Sequence, residues 1–167
     1  MSDTDQLDPR YRRGAGIVLF NSQAKVWVGQ RIDNPGSAWQ MPQGGLDPNE
    51  DPQAAALREL EEETGVNPTL TAFLGGGESW LSYDFPEDLR KQLWRGSYVG
   101  QQQKWYGLRF LGQDTDVNIA TEHAEFSAWQ WVELEETLDL IVPFKRDLYQ
   151  QIVDRFLPVR DHLRDNA

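Results

Sequence analysis

The sequence predicts an α/β (α+β) fold, an α/β/α sandwich built on a mixed sheet, and three observations carry that expectation. Short runs rich in β-branched and aromatic residues recur along the chain. Two amphipathic helical stretches stand among them, one after the first strands and one near the end. The order is therefore strands, helix, more strands and a closing helix, which layers naturally with a helix on each face of a sheet. The chain has 167 residues, enough for one domain with a real core and too few for two of ordinary size. We expect a flexible N-terminus over 1–10, one domain over 11–158 and a C-terminal tail over 159–167.

The strands are read from "GIVLF" (16–20), "KVWVGQR" (25–31), "LTAFL" (70–74), "SWLSYDF" (79–85), "KWYGLRFL" (104–111) and "FSAWQWVEL" (126–134). "NSQA" (21–24) turns the first two into a hairpin. The first helix starts where Asp51 can cap and Pro52 can take the first helical position, and it ends at Gly65, the expected left-handed residue after a helix. The second runs from about Pro143 through "FKRDLYQQIVDRF", where Leu148, Ile152 and Phe156 recur every four residues and form an apolar stripe. Residues 85–102 read as a long insertion carrying Arg90, Lys91 and Arg95, and long loops are often functional. No repeat, heptad seam or low-complexity tract appears.

Composition narrows the chemistry. Apolar residues make up 39% and aromatics 11% of the chain, so a packed interior is expected. No run approaches the roughly 18 apolar residues of a membrane span, and the first ten residues lack an apolar signal core. A soluble, cytoplasmic protein is expected, with no membrane partner. Cysteine is absent, which removes disulfides, thiolate nucleophiles and Cys-ligated zinc, and is compatible with a reducing compartment. His123 and His162 are far apart, so H-E-x-x-H zinc sites are excluded. Oxygen ligands remain. A formal charge of −11 argues against nonspecific adhesion to nucleic acid, and no DNA partner is expected, although a local basic cleft is compatible with it. The chain contains no G-x-x-x-x-G-K-[ST], G-x-G-x-x-G or G-x-S-x-G pattern.

The first helix carries the chemistry. In "GGLDPNEDPQAAALRELEEETGV", Ala56, Leu57, Leu60 and Thr64 occupy one side of the helix. Glu59, Glu62 and Glu63 fall within an arc of about 100° on another. Glutamates at i,i+4 repel, and negative charge near a helix C-terminus opposes its dipole by roughly 0.3–1 kcal/mol each. A cation removes that cost, and magnesium or manganese prefers such oxygen ligands. Arg58 lies beside the arc, four residues before Glu62, placed to orient carboxylates. An arbitrary acidic helix is more often a solvated face.

The full spacing overrides that bland reading. Gly44, five residues, Glu50, seven residues and then Arg58-Glu59-Leu60-x-Glu62-Glu63-x-Gly65-Val66 match the Nudix box, G-x5-E-x7-R-E-U-x-E-E-x-G-U, at every defined position. The chain therefore resembles the Nudix hydrolases. That resemblance implies a Nudix fold cleaving a nucleoside diphosphate joined to another moiety. It implies that Glu59, Glu62 and Glu63 bind divalent metal, that the Gly44 carbonyl adds a ligand, and that Glu50 and Arg58 support them. Glu61 falls on an unspecified box position and reads as a solvated charge.

The flanks "WQMPQGG", "SWLSYDFP", "GQQQKWY", "AEFSAWQWV" and "FKRDLY" are similar to those of bacterial RNA pyrophosphohydrolases and the related dinucleoside polyphosphate hydrolases, over nearly the whole chain from Tyr11 to Phe156. This likeness implies hydrolysis of diadenosine tetra-, penta- or hexaphosphate, removal of pyrophosphate from 5′-triphosphorylated RNA, or both. It also implies a further metal carboxylate outside the box at Glu125. Arg31, Lys104 and Lys145 are candidates to neutralise polyphosphate. Tyr83 is a candidate phosphate donor and Phe144 a base-stacking ring. Each has a plain reading as surface charge or core. Trp39, Trp129 and Trp131 read as core aromatics and His123 as a bystander. Sequences of the RNA-directed branch tend to carry a basic C-terminal tail where "DHLRDNA" stands here, a departure that leans toward dinucleotide substrates.

Two or three Mg2+ or Mn2+ ions held by Glu59, Glu62, Glu63 and Glu125 would screen the phosphates and lower the pKa of a bound water. Glu63 and Glu125 are both candidates for the base, with Glu62 and Arg58 in support. Two other readings stand beside this one: a Nudix hydrolase acting on a different nucleoside diphosphate derivative such as ADP-ribose, and a Nudix-like module that binds a nucleotide without cleaving it.

Overall fold

The computed structural model describes residues 7–33 and 38–166. Most of the flexible N-terminus expected for 1–10 lies outside the described residues. Residues 7–10 are tied to the sheet, with Asp8 N donating to Gln102 Oε1 at 2.9 Å and Val99 N to the Arg10 carbonyl at 2.9 Å.

Among the described residues, eight strands form one mixed sheet: β1 (Tyr11–Phe20), β2 (Val26–Arg31), β3 (Trp39–Gln40), β4 (Gln43–Gly45), β5 (Thr71–Gly76), β6 (Leu81–Asp84), β7 (Gly100–Phe110) and β8 (Phe126–Val132). β1 and β7 run parallel over ten paired residues, from Tyr11 opposite Gly100 to Phe20 opposite Arg109. Every other pairing is antiparallel: β2 with β1, β3 and β8, β4 with β1, and β5 and β6 with β7. β1 is buried continuously from Gly14, as a strand covered on both faces must be.

The helices are α1 (Pro52–Thr64), α2 (Glu87–Arg90), α3 (Thr137–Leu140) and α4 (Arg146–Asp165). On one face α1 packs Ala55, Ala56 and Leu60 against Ala15, Ile17 and Leu19 of β1. On the other, α4 lays Leu148, Ile152, Val153 and Phe156 over Val18, Phe20, Val28 and Trp105. The expected sandwich is thus the observed one. The cap residues of α1 behave as read: Asp51 Oδ2 accepts from Ala54 N at 3.1 Å, and Gly65 closes the helix at φ 74°. The hairpin turn is held by Asn21 Oδ1, which accepts from Gln23 N and Lys25 N at 2.9 and 3.0 Å.

Several boundaries differ from the sequence reading, β1 among them, which begins at Tyr11 and not at Gly16. β7 begins at Gly100, four residues before "KWYGLRFL", because its glutamines pair with both β1 and β6. The short β3 and β4 are too brief to show a period of two, and form because "WQMPQGG" is drawn against β2 and β1. The second helix does not stop at Phe156, so the tail expected over 159–167 is helix as far as Asp165. It continues through Pro158, which is exposed along with Asp154, so the carbonyl deprived of its helical donor sits on the solvated side. Arg160 then anchors the extension. Its side chain is 9% exposed and holds Glu135 at 2.6 and 3.1 Å and Asp161 at 2.8 Å.

Candidate active site

The site forms where β4, α1 and the loops at the ends of β2, β6 and β8 meet. β4 lies against β1 because Gly14 has no side chain: a Cβ there would come within 2.7 Å of the Gly44 carbonyl oxygen. Gly44 in turn leaves room for the Glu59 carboxylate, whose carbon would lie 2.1 Å from a Cβ at that position. Two glycines therefore bring a backbone carbonyl and a helix carboxylate into one place.

Arg58 organises the acidic helix. Its Nε and Nη2 grip Glu50 at 2.9 and 2.8 Å, Nη2 also donates to the Gly45 carbonyl at 2.9 Å, and Nη1 reaches Glu59 at 2.9 Å and Glu62 at 3.2 Å. Arg58 thus touches three carboxylates and one backbone carbonyl at once. The guanidinium holds the Glu50 carboxyl down at about 2, against an ordinary 4.5.

The expected arc of carboxylates is divided by burial. Glu62 is exposed, Glu59 is half-buried and Glu63 is buried at 2% exposure, on the side of α1 that faces the sheet. Glu63 Oε2 accepts from Gln43 N at 3.0 Å. Burial, then the charges of Glu59 and Glu125, push its carboxyl well above the usual range. Burial also raises Glu59, against the pull of Arg58 and with the repulsion of Glu62 and Glu125. Glu125 precedes β8, and its backbone carbonyl accepts from Ile32 N at 3.0 Å.

The donor set suits a hard divalent cation. Glu63 is a buried carboxylate with a single protein donor, and Glu59 and Glu125 are near enough to oppose its ionisation. Among the described residues no three acidic side chains already enclose a point, and Arg58 draws Glu59 and Glu62 toward itself. Glu59, Glu62, Glu63, Glu125 and the Gly44 carbonyl are the groups that would hold such an ion.

A cleft of about 580 Å3 opens beside these groups, with Gly44, Glu59 and Glu125 in its wall. Of the five residues expected to contact substrate, four line it: Arg31, Tyr83, Phe144 and Lys145. Arg31 pairs with Asp33 at 2.7 Å and lies 3.9 Å from Glu125. Lys145 is buried, its Nζ 5.4 Å from the centre of the Tyr83 ring, and burial followed by the nearby Arg31 charge lowers its ammonium to about 8. Tyr83 and Phe144 face each other at 6.2 Å.

Lys104 is the exception. It does not line the cleft, and its Nζ lies 5.2 Å over the Trp80 ring. Alternation along β7 is the reason: Lys104 is opposite Ala15, on the α1 side, whereas Gln101 and Gln103 project to the other face. Arg90, Lys91 and Arg95 are exposed and away from the cleft, while the insertion's Leu89, Leu93 and Trp94 line it. Arg12 reaches the same wall, stacked 4.4 Å from the Trp94 ring. Sequence reasoning missed Arg12, Asp33, Gln43, Gln101, Phe85 and Trp94. For Gln101 a signal existed: counting back in twos from the apolar Trp105 assigns it to the face opposite Lys104.

Trp39, Trp129 and Trp131 pack against the core as expected, Trp129 stacked on Trp27 at 6.1 Å. No helix among the described residues is long and apolar enough to cross a membrane.

Comparison with known proteins agrees with the geometry. Residues 10–152 match the family model of the NUDIX domain. The chain is 56% identical over 146 residues to an RNA pyrophosphohydrolase of Roseobacter denitrificans, covering 87% of this chain and 91% of that one. It is 54% identical over 143 residues to an RNA pyrophosphohydrolase of Rhodospirillum rubrum, covering 86% and 85%. Among solved structures it is similar in fold to a C. elegans Ap4A hydrolase, with a TM-score of 0.61 and 21% identity over 87% of this chain and 98% of that one. An E. coli dihydroneopterin triphosphate pyrophosphohydrolase gives a TM-score of 0.66 at 19% identity, with the same coverage.

Proposed function

Because the chain belongs to the Nudix family and is a pyrophosphohydrolase of that family, we propose that it performs magnesium- or manganese-dependent cleavage of phosphoanhydride bonds at the ends of nucleotides. Its substrates on this reading are 5′-triphosphorylated RNA, from which it removes pyrophosphate, and diadenosine tetra-, penta- and hexaphosphate. The similarity to proteins named RNA pyrophosphohydrolases over most of the chain favours the RNA end as the first of these. Two or three divalent ions, when bound, would screen the phosphates and activate the attacking water. The setting is cytoplasmic, where absent cysteine fits a reducing medium.

The observation that carries the reading is Glu63, buried close to Glu59 and Glu125, which line a cleft that also holds Arg31 and Lys145. Carboxylates and cations lining one cleft suit a substrate that brings both metal and phosphate. Arg58 keeps Glu59 and Glu62 in register, and the Gln43 N–H holds one oxygen of Glu63 so that the other is free to point at an ion. Arg31 and Lys145 neutralise the outer phosphates. Phe144, with Tyr83 beside it, offers a ring against which a base can stack. The water's proton goes to Glu63 or Glu125.

Glu62→Gln tests this without disturbing the core, since Glu62 is exposed. Turnover of triphosphorylated RNA and diadenosine tetraphosphate should fall by at least about 100-fold, with the melting temperature nearly unchanged. Wild-type turnover in that variant would refute the metal role, and a preference for ADP-ribose would reject the substrate class. Products made in oxygen-18 water identify the phosphorus attacked.

A further inference from the structure

Three glutamine side chains and an indole form a relay at the base of the cleft. Gln103, 1% exposed, donates from Nε2 to Gln43 Oε1 at 2.6 Å and to Gln101 Oε1 at 3.2 Å. Its own Oε1 accepts from Trp105 Nε1 at 3.1 Å. The indole is held in place by Gly16, where a Cβ would come within 2.5 Å of the ring, and by Tyr149 edge-on at 6.0 Å.

An amide side chain can be turned either way, but an indole N–H can only donate. That single constraint sets the direction of every bond in the relay. Gln103 must turn its oxygen to Trp105 and therefore its NH2 to the other two glutamines. Gln43 and Gln101 must meet it with oxygen, so each keeps its own NH2 on the side away from Gln103. Both residues line the cleft.

We propose that Gln43 and Gln101 present these amide N–H groups to the phosphate chain of the substrate, and that Trp105 and Gln103 are positioning residues that hold the donor polarity. The inference rests on the reading of the cleft as a polyphosphate site. Neutral donors have an advantage beside Glu59, Glu63 and Glu125: a further cation there would pair with the carboxylates, whereas an amide binds an oxyanion without neutralising them. Were the amides free to flip, their oxygens would face phosphate and repel it. Fixed donors bind without that reorganisation.

The test uses the whole chain and three measurements. Gln101→Met should raise KM for diadenosine tetraphosphate about 10- to 100-fold, the loss of one hydrogen bond to a charged group, with kcat within twofold of wild type. Trp105→Phe, which never touches substrate, should raise KM by a similar factor, and the double variant should be little worse than either single one. Should Trp105→Phe not fold, Gln103→Met takes its place. Side-chain amide resonances of Gln43 and Gln101 in 15N-labelled wild type should shift on addition of magnesium tripolyphosphate. An unchanged KM in folded Trp105→Phe, or amide resonances that do not move at saturating tripolyphosphate, would overturn the proposal. Should wild type cleave neither substrate, the functional reading fails, and the amide resonances alone then decide the relay.

Discussion

Replacing Gly44 by alanine is the sharpest perturbation of the site, because backbone and carboxylate meet there without room for a methyl group. A Cβ would lie 2.1 Å from Glu59 Cδ and 2.3 and 2.4 Å from its two oxygens. Ordinary contact begins at about 3.5 Å, so the carboxylate or the strand must yield by about 1 Å or more. The strand is pinned on its other side, where the Gly44 carbonyl fills the space left by Gly14. Glu59 moves instead, and its 2.9 Å bond to Arg58 stretches or breaks. A misplacement of about 1 Å in a reacting constellation costs about 100-fold, equivalent to about 2.7 kcal/mol in the barrier. Stability should fall by only about 1 kcal/mol, or about 2–4 °C in melting temperature, since one partly exposed hydrogen bond is lost. Initial rates on triphosphorylated RNA across a magnesium titration, paired with a thermal melt, measure both. A folded Gly44→Ala enzyme with kcat/KM within threefold of wild type would falsify the placement of Glu59 at the reacting centre.

Other outcomes follow from the same contacts. Glu50 is held down at about 2 by Arg58, so its contribution is fully present above the ordinary value of 4.5 and is lost as pH falls from there toward 2. The stability gap between wild type and Glu50→Gln, about 1–2 kcal/mol after solvent screening, should close over that acid range in thermal melts, and a gap independent of pH would contradict the pairing. Glu63→Gln removes a buried charge while keeping an oxygen for the Gln43 N–H, so the metal-free protein should melt higher and turn over at least about 1,000-fold more slowly; unchanged turnover would remove Glu63 from the site. Arg160→Ala leaves Glu135 and Asp161 without their guanidinium and should cost about 2 kcal/mol, the partners being partly exposed. Urea unfolding checks it, and an unaffected midpoint would mean that the last turns of α4 do not brace the domain.

Local chemistry was legible in the sequence. The ends of α1 follow from Asp51, Pro52 and Gly65, whose effects act within a single turn of chain. The spacing from Gly44 to Val66 gave Glu59, Glu62, Glu63 and Arg58 their positions along one helix because an α-helix has one period. The hairpin at Asn21 is likewise a matter of adjacent backbone groups.

Tertiary structure decided what local rules leave open. Glu63 is the buried member of the acidic arc because β4 crosses its side of α1, twenty residues away in sequence, and Glu62 points to water instead. Lys104 faces the α1 side because it lies opposite Ala15 in the β1–β7 register, and packing of α1 on that face decides that it is not the face of the cleft. The glutamine relay joins positions 43 and 103, and Arg12 meets Trp94 across the insertion. Burial and hydrogen-bond direction at such places depend on which distant segment arrives. A chain read alone supplies the donors and the charges, and only packing tells which of them face the same space.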